Sequence, residues 1–450
     1  MLKKNEQYTV TIDGASFDGA GVAHIEGEAV FIAGAILQEV CRIRIDHVGK
    51  TCAWASLLEV VTPSPHRQKP DCPENGSCGG CAFRHMDYEA ECAIKQQRVL
   101  DCLRRIGAQT LEQLPFHGAE ELDGYRNKVQ FPVQEQNGKA VAGYYGGGTH
   151  RVCPISSCRI QPACADPIRK AVLGWMEKYH IRAYDEKTHS GYIRHIYIRQ
   201  GAVSKQTLVC IVANCEKLPK SKQLTDALLA AESSIRTVVF SSNTAKGNVI
   251  LGDTFLPLYG DGYIEDTLCG LTFRLSAPAF YQVNHRQAEK LYEKALEFSA
   301  LDREKTAMDL YCGTGTISLC LAKNAKKVTG VEIVPEAIED AKYNAQRNGL
   351  ENTEFFCMDA GQAAKKFSSE GSRPDVIVVD PPRKGLSKDA VEAILEMAPQ
   401  RLVYVSCDPA TLARDVKLFC EKNYRLQKAE AFDLFPRCAH VETVVLMSRV

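Results

Sequence analysis

The sequence predicts an α/β protein: a doubly wound sheet in the C-terminal part, preceded by a small β-barrel of the OB kind and a β-rich central part. Three observations carry this. From about residue 276 apolar runs alternate with helical patterns, such as "KTAMDLYCGTGT", "ISLCLAKNA", "KKVTGVEIV", "PEAIEDAKYNAQRNGL" and "PDVIVVDPPR". Residues 8–60 instead hold several short alternating runs joined by Gly-containing turns. Between them, strand patterns such as "YRNKVQFPV", "YIRHIYIRQ" and "TLVCIVAN" dominate.

In chain order, "YTVTI", "EAVFIAG", "EVCRIRIDHV" and "CAWASLLEVV" form the first unit, residues 1–62. "TPSPHRQKPDCP" follows as a Pro-rich linker. The second unit spans 63–275. In it, Ile94, Leu100, Leu103 and Ile106 form the apolar stripe of a helix over 85–107, stopped at Gly107. The third unit spans 276–450.

Among 450 residues, 45% are apolar and 24% charged, the net charge is zero, and no segment is strongly basic. Charge alone therefore gives no support for a nucleic-acid partner, although a local basic surface remains open. No run is long enough to read as a membrane-spanning helix, and the start "MLKKNEQYTV" has no signal-peptide core, so a cytoplasmic location is expected. Nineteen cysteines in a reducing compartment are not read as a disulfide framework.

The loop "DLYCGTGT" ends a strand and opens a helix. Gly313 and Gly315 let the backbone approach a ligand, and Glu332 ends the next strand, where a carboxylate accepts ribose hydroxyls. A third glycine is missing, which favours S-adenosylmethionine over a dinucleotide. Asp359 ends the following strand within reach of an adenine amino group. Two further strands end in "DPPR" (Asp380 to Arg383) and "SCDP" (Ser406 to Pro409). D-P-P followed by an aromatic residue would suit amino-group methylation, but the fourth residue is Arg383.

Cys407 adds what methylation at pyrimidine C5 requires. C5 is not nucleophilic until a thiolate adds to C6, and a base must then remove the C5 proton. Glu442, in the apolar closing run "HVETVVL", offers the base. A helix beginning at "PATLARD" would favour a Cys407 thiolate.

"AFYQVN", "DLYCGTGT", "VVDPPRKGL", "SCDPATLARD" and "FPRCAHVETVVL" stand in the order found in the S-adenosylmethionine-dependent RNA 5-methyluridine methyltransferases, and the chain resembles that family over nearly its whole length. The resemblance implies a Rossmann-like class I methyltransferase domain, with Cys407 as nucleophile and Glu442 as base. It implies cofactor contacts from Gln282, Tyr311, Glu332 and Asp380, stacking of a flipped uracil on Phe280, and Arg383 at the substrate. It further implies an N-terminal RNA-binding TRAM domain and 23S ribosomal RNA as the target. The alternatives are a transfer-RNA uridine, or a non-catalytic RNA-binding iron–sulfur protein.

"CPENGSCGGC" places Cys72, Cys78 and Cys81 at C-x5-C-x2-C spacing. Cys153, Cys158 or Cys164 could complete a four-thiolate site for zinc or an iron–sulfur cluster. The resemblance implies a [4Fe–4S] cluster with Cys158 as fourth ligand.

Overall fold

The structure is a computed structural model and describes residues 2–450. At the N-terminal end, six strands form one sheet in the order Gln7–Thr11, Val40–Val48, Cys52–Thr62, Glu28–Ile32, Gly21–Ile25, Gly14–Ala15. Alternate residues point inward: Cys41, Ile43 and Ile45 pack with Val10, Val30, Ile32 and Ala53. The linker is not a loose tether. Arg67 donates to Glu39, fully buried in this unit, at 2.7 Å and to the Gly34 carbonyl at 2.7 Å.

The central sheet has seven strands, in the order Val152–Pro154, Lys139–Tyr145, Lys128–Gln136, Ile193–Gln200, Thr207–Ala213, Ile235–Ser242, Thr254–Tyr259. Its middle strands are buried on both faces; Thr207–Ala213 reads as an almost unbroken apolar run, whereas Ile193–Gln200 buries Arg194, His195 and Arg199 among its apolar residues. One face, with Ile196, Ile198, Val209 and Ile211, packs on the helix Ala165–Lys178. The opposite face, with Tyr197, Cys210 and Val212, joins Phe273, Leu319 and Val403 in a core shared with the C-terminal part. The side-chain alternation of a strand thus welds the two parts together.

The C-terminal sheet is numbered here in chain order: β1 Thr306–Leu310, β2 Lys327–Glu332, β3 Thr353–Cys357, β4 Val376–Val379, β5 Arg401–Ser406, β6 Tyr424–Phe432 and β7 Glu442–Arg449. The spatial order is β3-β2-β1-β4-β5-β7-β6. The first five pair in parallel, and β7 enters antiparallel between β5 and β6. Helices cover both faces: His285–Ser299, Thr316–Ala322 and Pro335–Arg347 on one, and Ala360–Ser369, Lys388–Met397 and Pro409–Cys420 on the other.

Two pieces of the central segment belong to this sheet. The strand Phe116–His117 pairs in parallel with β6. The helix Tyr88–Arg105, started by its N-cap Asp87, packs against Pro409–Cys420. Its buried face differs from the apolar stripe read in the sequence. Val99 and Leu103 are buried with Glu91 and Lys95, while Ile106 is exposed. Lys95 Nζ donates to Glu91 at 2.7 Å and to the buried Asp433 at 2.8 Å, so the charges that should face solvent are paired inside.

Candidate active site

The open ends of β1, β2, β4 and β5 converge on one edge, where ligands of such sheets bind. After β1 the chain turns through Tyr311 (φ 83°), Gly313 (φ 54°) and Gly315 (φ 85°) into the helix Thr316–Ala322. Left-handed backbone is costly for Tyr311 and free for the glycines. A Cβ on Gly315 would lie 3.2 Å from that of Ala341, whereas one on Gly313 would meet only open space. The loop therefore packs inward at Gly315 and leaves its outer surface free at Gly313.

Glu332, ending β2, holds this turn. Its carboxylate accepts from Gly313 N at 3.1 Å, Ile333 N at 2.8 Å and Val334 N at 3.1 Å. Asp359 caps the helix Ala360–Ser369 through Oδ1, accepting from Gly361 N at 3.0 Å and Gln362 N at 3.1 Å. Phe280 is 58% exposed on the same side, and its carbonyl accepts from Thr314 Oγ1 at 3.4 Å. Gln282 is buried, its carbonyl bound by Asn127 Nδ2 at 2.8 Å.

Register explains how the two proposed reactive residues meet. Ser406 on β5 pairs with Thr443 on β7, so Cys407 and Glu442 leave the ladder together. Burial pushes the Glu442 carboxyl up to about 8, with Asp380 adding and Arg383 opposing. The Cys407 thiol is pushed up to about 11 by burial, then by Glu442 and Asp380, again opposed by Arg383. Asp380 itself rises to about 7 from its recessed position and from Asp309.

The sequence expectation of a thiolate favoured by the helix N-terminus is corrected here. Pro409–Cys420 does begin beside Cys407, but Asp408 takes its first free amides, Ala410 N at 2.9 Å and Thr411 N at 3.0 Å. The cation facing this cluster is Arg383. His440 lies 3.0 Å from Arg383 Nη2 through Nε2, and burial and surrounding cations lower it to about 4, leaving a neutral ring.

Comparison with known proteins gives concordant results. The family model described as tRNA (Uracil-5-)-methyltransferase matches residues 261–450. An uncharacterized RNA methyltransferase of Bacillus cereus (strain ATCC 10987 / NRS 248) is 41% identical over 452 residues, spanning 100% of this chain and 98% of that protein. Another, of Clostridium tetani (strain Massachusetts / E88), is 40% identical over 447 residues, spanning 99% and 97%. The crystal structure of Pyrococcus abyssi tRNA (uracil-54, C5)-methyltransferase in complex with S-adenosyl-L-homocysteine matches with a TM-score of 0.78 at 25% identity, over 98% of this chain and 100% of that one. The chain belongs to the S-adenosylmethionine-dependent RNA uracil-5 methyltransferase family.

Two buried carboxyl groups of this methyltransferase had no role from the sequence. Asp309 is fully buried at the end of β1. It accepts from Ser318 Oγ at 2.6 Å, its Oδ1 has no partner, and burial raises it to about 7. Asp433 anchors Lys95 and, at 2.8 Å, the Tyr88 hydroxyl. Asp309 was legible as an acid closing an apolar strand, but Asp433 depends on partners more than 300 residues away in sequence.

The cysteines 72, 78, 81 and 158 line one recess with Arg126 and Tyr144, while Cys153 and Cys164 do not. No three His, Cys, Asp or Glu side chains among the described residues are placed to hold a metal ion.

Proposed function

We propose that the protein transfers a methyl group from S-adenosylmethionine to C5 of a uridine in 23S ribosomal RNA. The carrying observation is the β5–β7 register, which sets Cys407 beside Glu442 at the open edge, next to the turn held by Glu332. In this reading the Cys407 thiolate bonds to C6, and electron density moves to C5. The methyl-donor substrate supplies an electrophilic methyl on a cationic sulfonium; the C5 electron pair takes that methyl as the carbon–sulfur bond breaks, and neutral S-adenosylhomocysteine is the leaving group. Glu442 then takes the C5 proton, the C5–C6 double bond re-forms, and the Cys407–C6 bond breaks. Arg383 steadies the negative charge, and neutral His440 orients Arg383. The raised carboxyl of Glu442 suits a base working near neutral pH.

The remaining site residues are given matching roles. Gln282, Tyr311, Gly313, Gly315, Glu332, Asp359 and Asp380 shape the donor site, where open space over Gly313 and the free Oδ2 of Asp359 fit a nucleoside. Exposed Phe280 stacks on a flipped uracil. The N-terminal unit serves as a TRAM-type platform for flexible RNA. Its exposed Trp54, with Phe31 at 6.1 Å and His47 at 5.5 Å, offers an aromatic surface for bases.

The recess of Cys72, Cys78, Cys81 and Cys158 is read as the seat of a [4Fe–4S] cluster. The four-thiolate donor set lining one recess supports it, with zinc as the alternative. Bound there, a cluster would pin the loop of residues 72–81. Anaerobically purified protein should contain about four irons and four sulfides per chain by elemental assay.

Transfer RNA is the second reading, supported by the Pyrococcus abyssi enzyme, which acts on uracil-54 of tRNA. Incubation with each RNA and labelled methyl donor separates the two. Under the same conditions Cys407→Ala should form no adduct with 5-fluorouridine RNA, and Glu442→Gln should accumulate one on normal RNA. Methylation by Cys407→Ala would sink the mechanism.

A further inference from the structure

Glu442 is reached through the loop of residues 433–441, and that loop is fastened to the cysteine-bearing segment. Ala82 N and Phe83 N donate to the Arg437 carbonyl at 2.7 and 3.1 Å. The Cys438 side chain is 5% exposed, and its thiol donates to the Gly80 carbonyl at 3.0 Å. Arg126 Nη2 donates to the same sulfur at 3.4 Å, and the Tyr125 hydroxyl donates to the Pro436 carbonyl at 3.1 Å. Cys81 and Cys158 pack against Tyr125, Ile160 and Cys438. On the other side Arg98 Nη1 donates to the Ala439 carbonyl at 2.9 Å, and His440 meets Arg383.

No glycine interrupts "DLFPRCAHVE", and Arg437 is held at φ 69°, a region that non-glycine residues occupy only when their surroundings fix them. The loop is thus pinned at successive residues from the recess to the end of β7.

We propose that Cys438 is a positioning residue, which ties Glu442 to the cysteine-lined recess and thereby sets the proton-abstraction step. This rests on the reading of Glu442 as the base. A thiol that merely filled space would affect stability alone. A thiol that sets Glu442 affects one half of the reaction: attack by Cys407 needs no base at Glu442's position, whereas release of the methylated RNA does.

The test uses full-length Cys438→Ala, Cys438→Val (volume filled, donor removed) and Cys438→Ser (donor kept). With normal RNA, the Ala and Val variants should show kcat lowered at least tenfold, KM for RNA lowered in parallel so that kcat/KM stays within about twofold, and an accumulating covalent protein–RNA complex. They should trap 5-fluorouridine RNA at the wild-type rate, and Ser should restore turnover. Folded Val protein releasing product at the wild-type rate overturns the proposal, as does equal slowing of 5-fluorouridine trapping. If both variants misfold, Tyr125→Phe loosens the same loop at Pro436 and should show the same pattern more weakly; normal product release by it overturns the proposal. Glu442→Gln is the control. If it accumulates no complex, the base assignment has failed; if it does and the Cys438 variants do not, the positioning role has failed.

Discussion

Ser406 and Thr443 are register partners on antiparallel β5 and β7, and the residues one step beyond them are Cys407 and Glu442. A parallel neighbour would have placed a strand start, not a second reactive side chain, at a different end of the sheet. The single antiparallel entry thus makes a two-residue site at the sheet's open edge.

With Glu442 raised to about 8, only about a tenth of it is ionised at pH 7. In the proposed mechanism its carboxylate form acts after methyl transfer, so kcat should rise roughly tenfold per pH unit below pH 8. Cys407, also held protonated, should give kcat/KM a rise of its own. Asp380 and Arg383 act on the same pair, and Arg383→Ala should move the limb to higher pH. Stability has the opposite sign. A carboxyl raised above its unfolded value binds more protons folded, so its contribution is full below about 4.5 and lost as pH rises through 8. The melting temperature of Glu442→Gln should gain on that of the parent between pH 5 and pH 9.

Glu332→Ala removes the acceptor for three backbone amides as well as the proposed ribose partner. Hydrogen bonds to charged groups contribute about 1.5–3 kcal/mol. Calorimetric titration with S-adenosylhomocysteine should show binding weakened roughly 10- to 100-fold. Unchanged affinity would remove Glu332 from the donor site.

Trp54→Ala should weaken RNA binding by about 1–3 kcal/mol, the value of one stacked base, and leave donor affinity alone. Filter binding with RNA fragments and titration with S-adenosylhomocysteine measure the two separately.

Lys95→Met would leave Glu91 and Asp433 buried without their shared cation. Removing one partner of a buried pair costs about 3–5 kcal/mol. A lowered urea midpoint with unchanged slope should report this.

The strand–helix rhythm, the cofactor turn and the Cys407 and Glu442 motifs were legible because each is a local pattern. Less legible were features set by distant chain. Ile106 read as part of the apolar stripe but is 42% exposed, while Glu91 and Lys95, outside that stripe, are buried beside Asp433. The state of Cys407 was misread because helix position alone says nothing about Asp408 occupying the amides. Cys438 looked like one cysteine among nineteen, and only the fold shows Gly80 and Arg126 at its sulfur.

The strand Phe116–His117 seals the outer edge of β6, and the helix Tyr88–Arg105 buries Lys95 against Asp433. A fragment excised at residue 276 would therefore lose the cover of one sheet edge and strand the Asp433 carboxylate without its cation. Such a fragment should self-associate along the bared β6 backbone. The catalytic half is a discontinuous module, and shuffling it between proteins would require carrying the earlier helix and strand along.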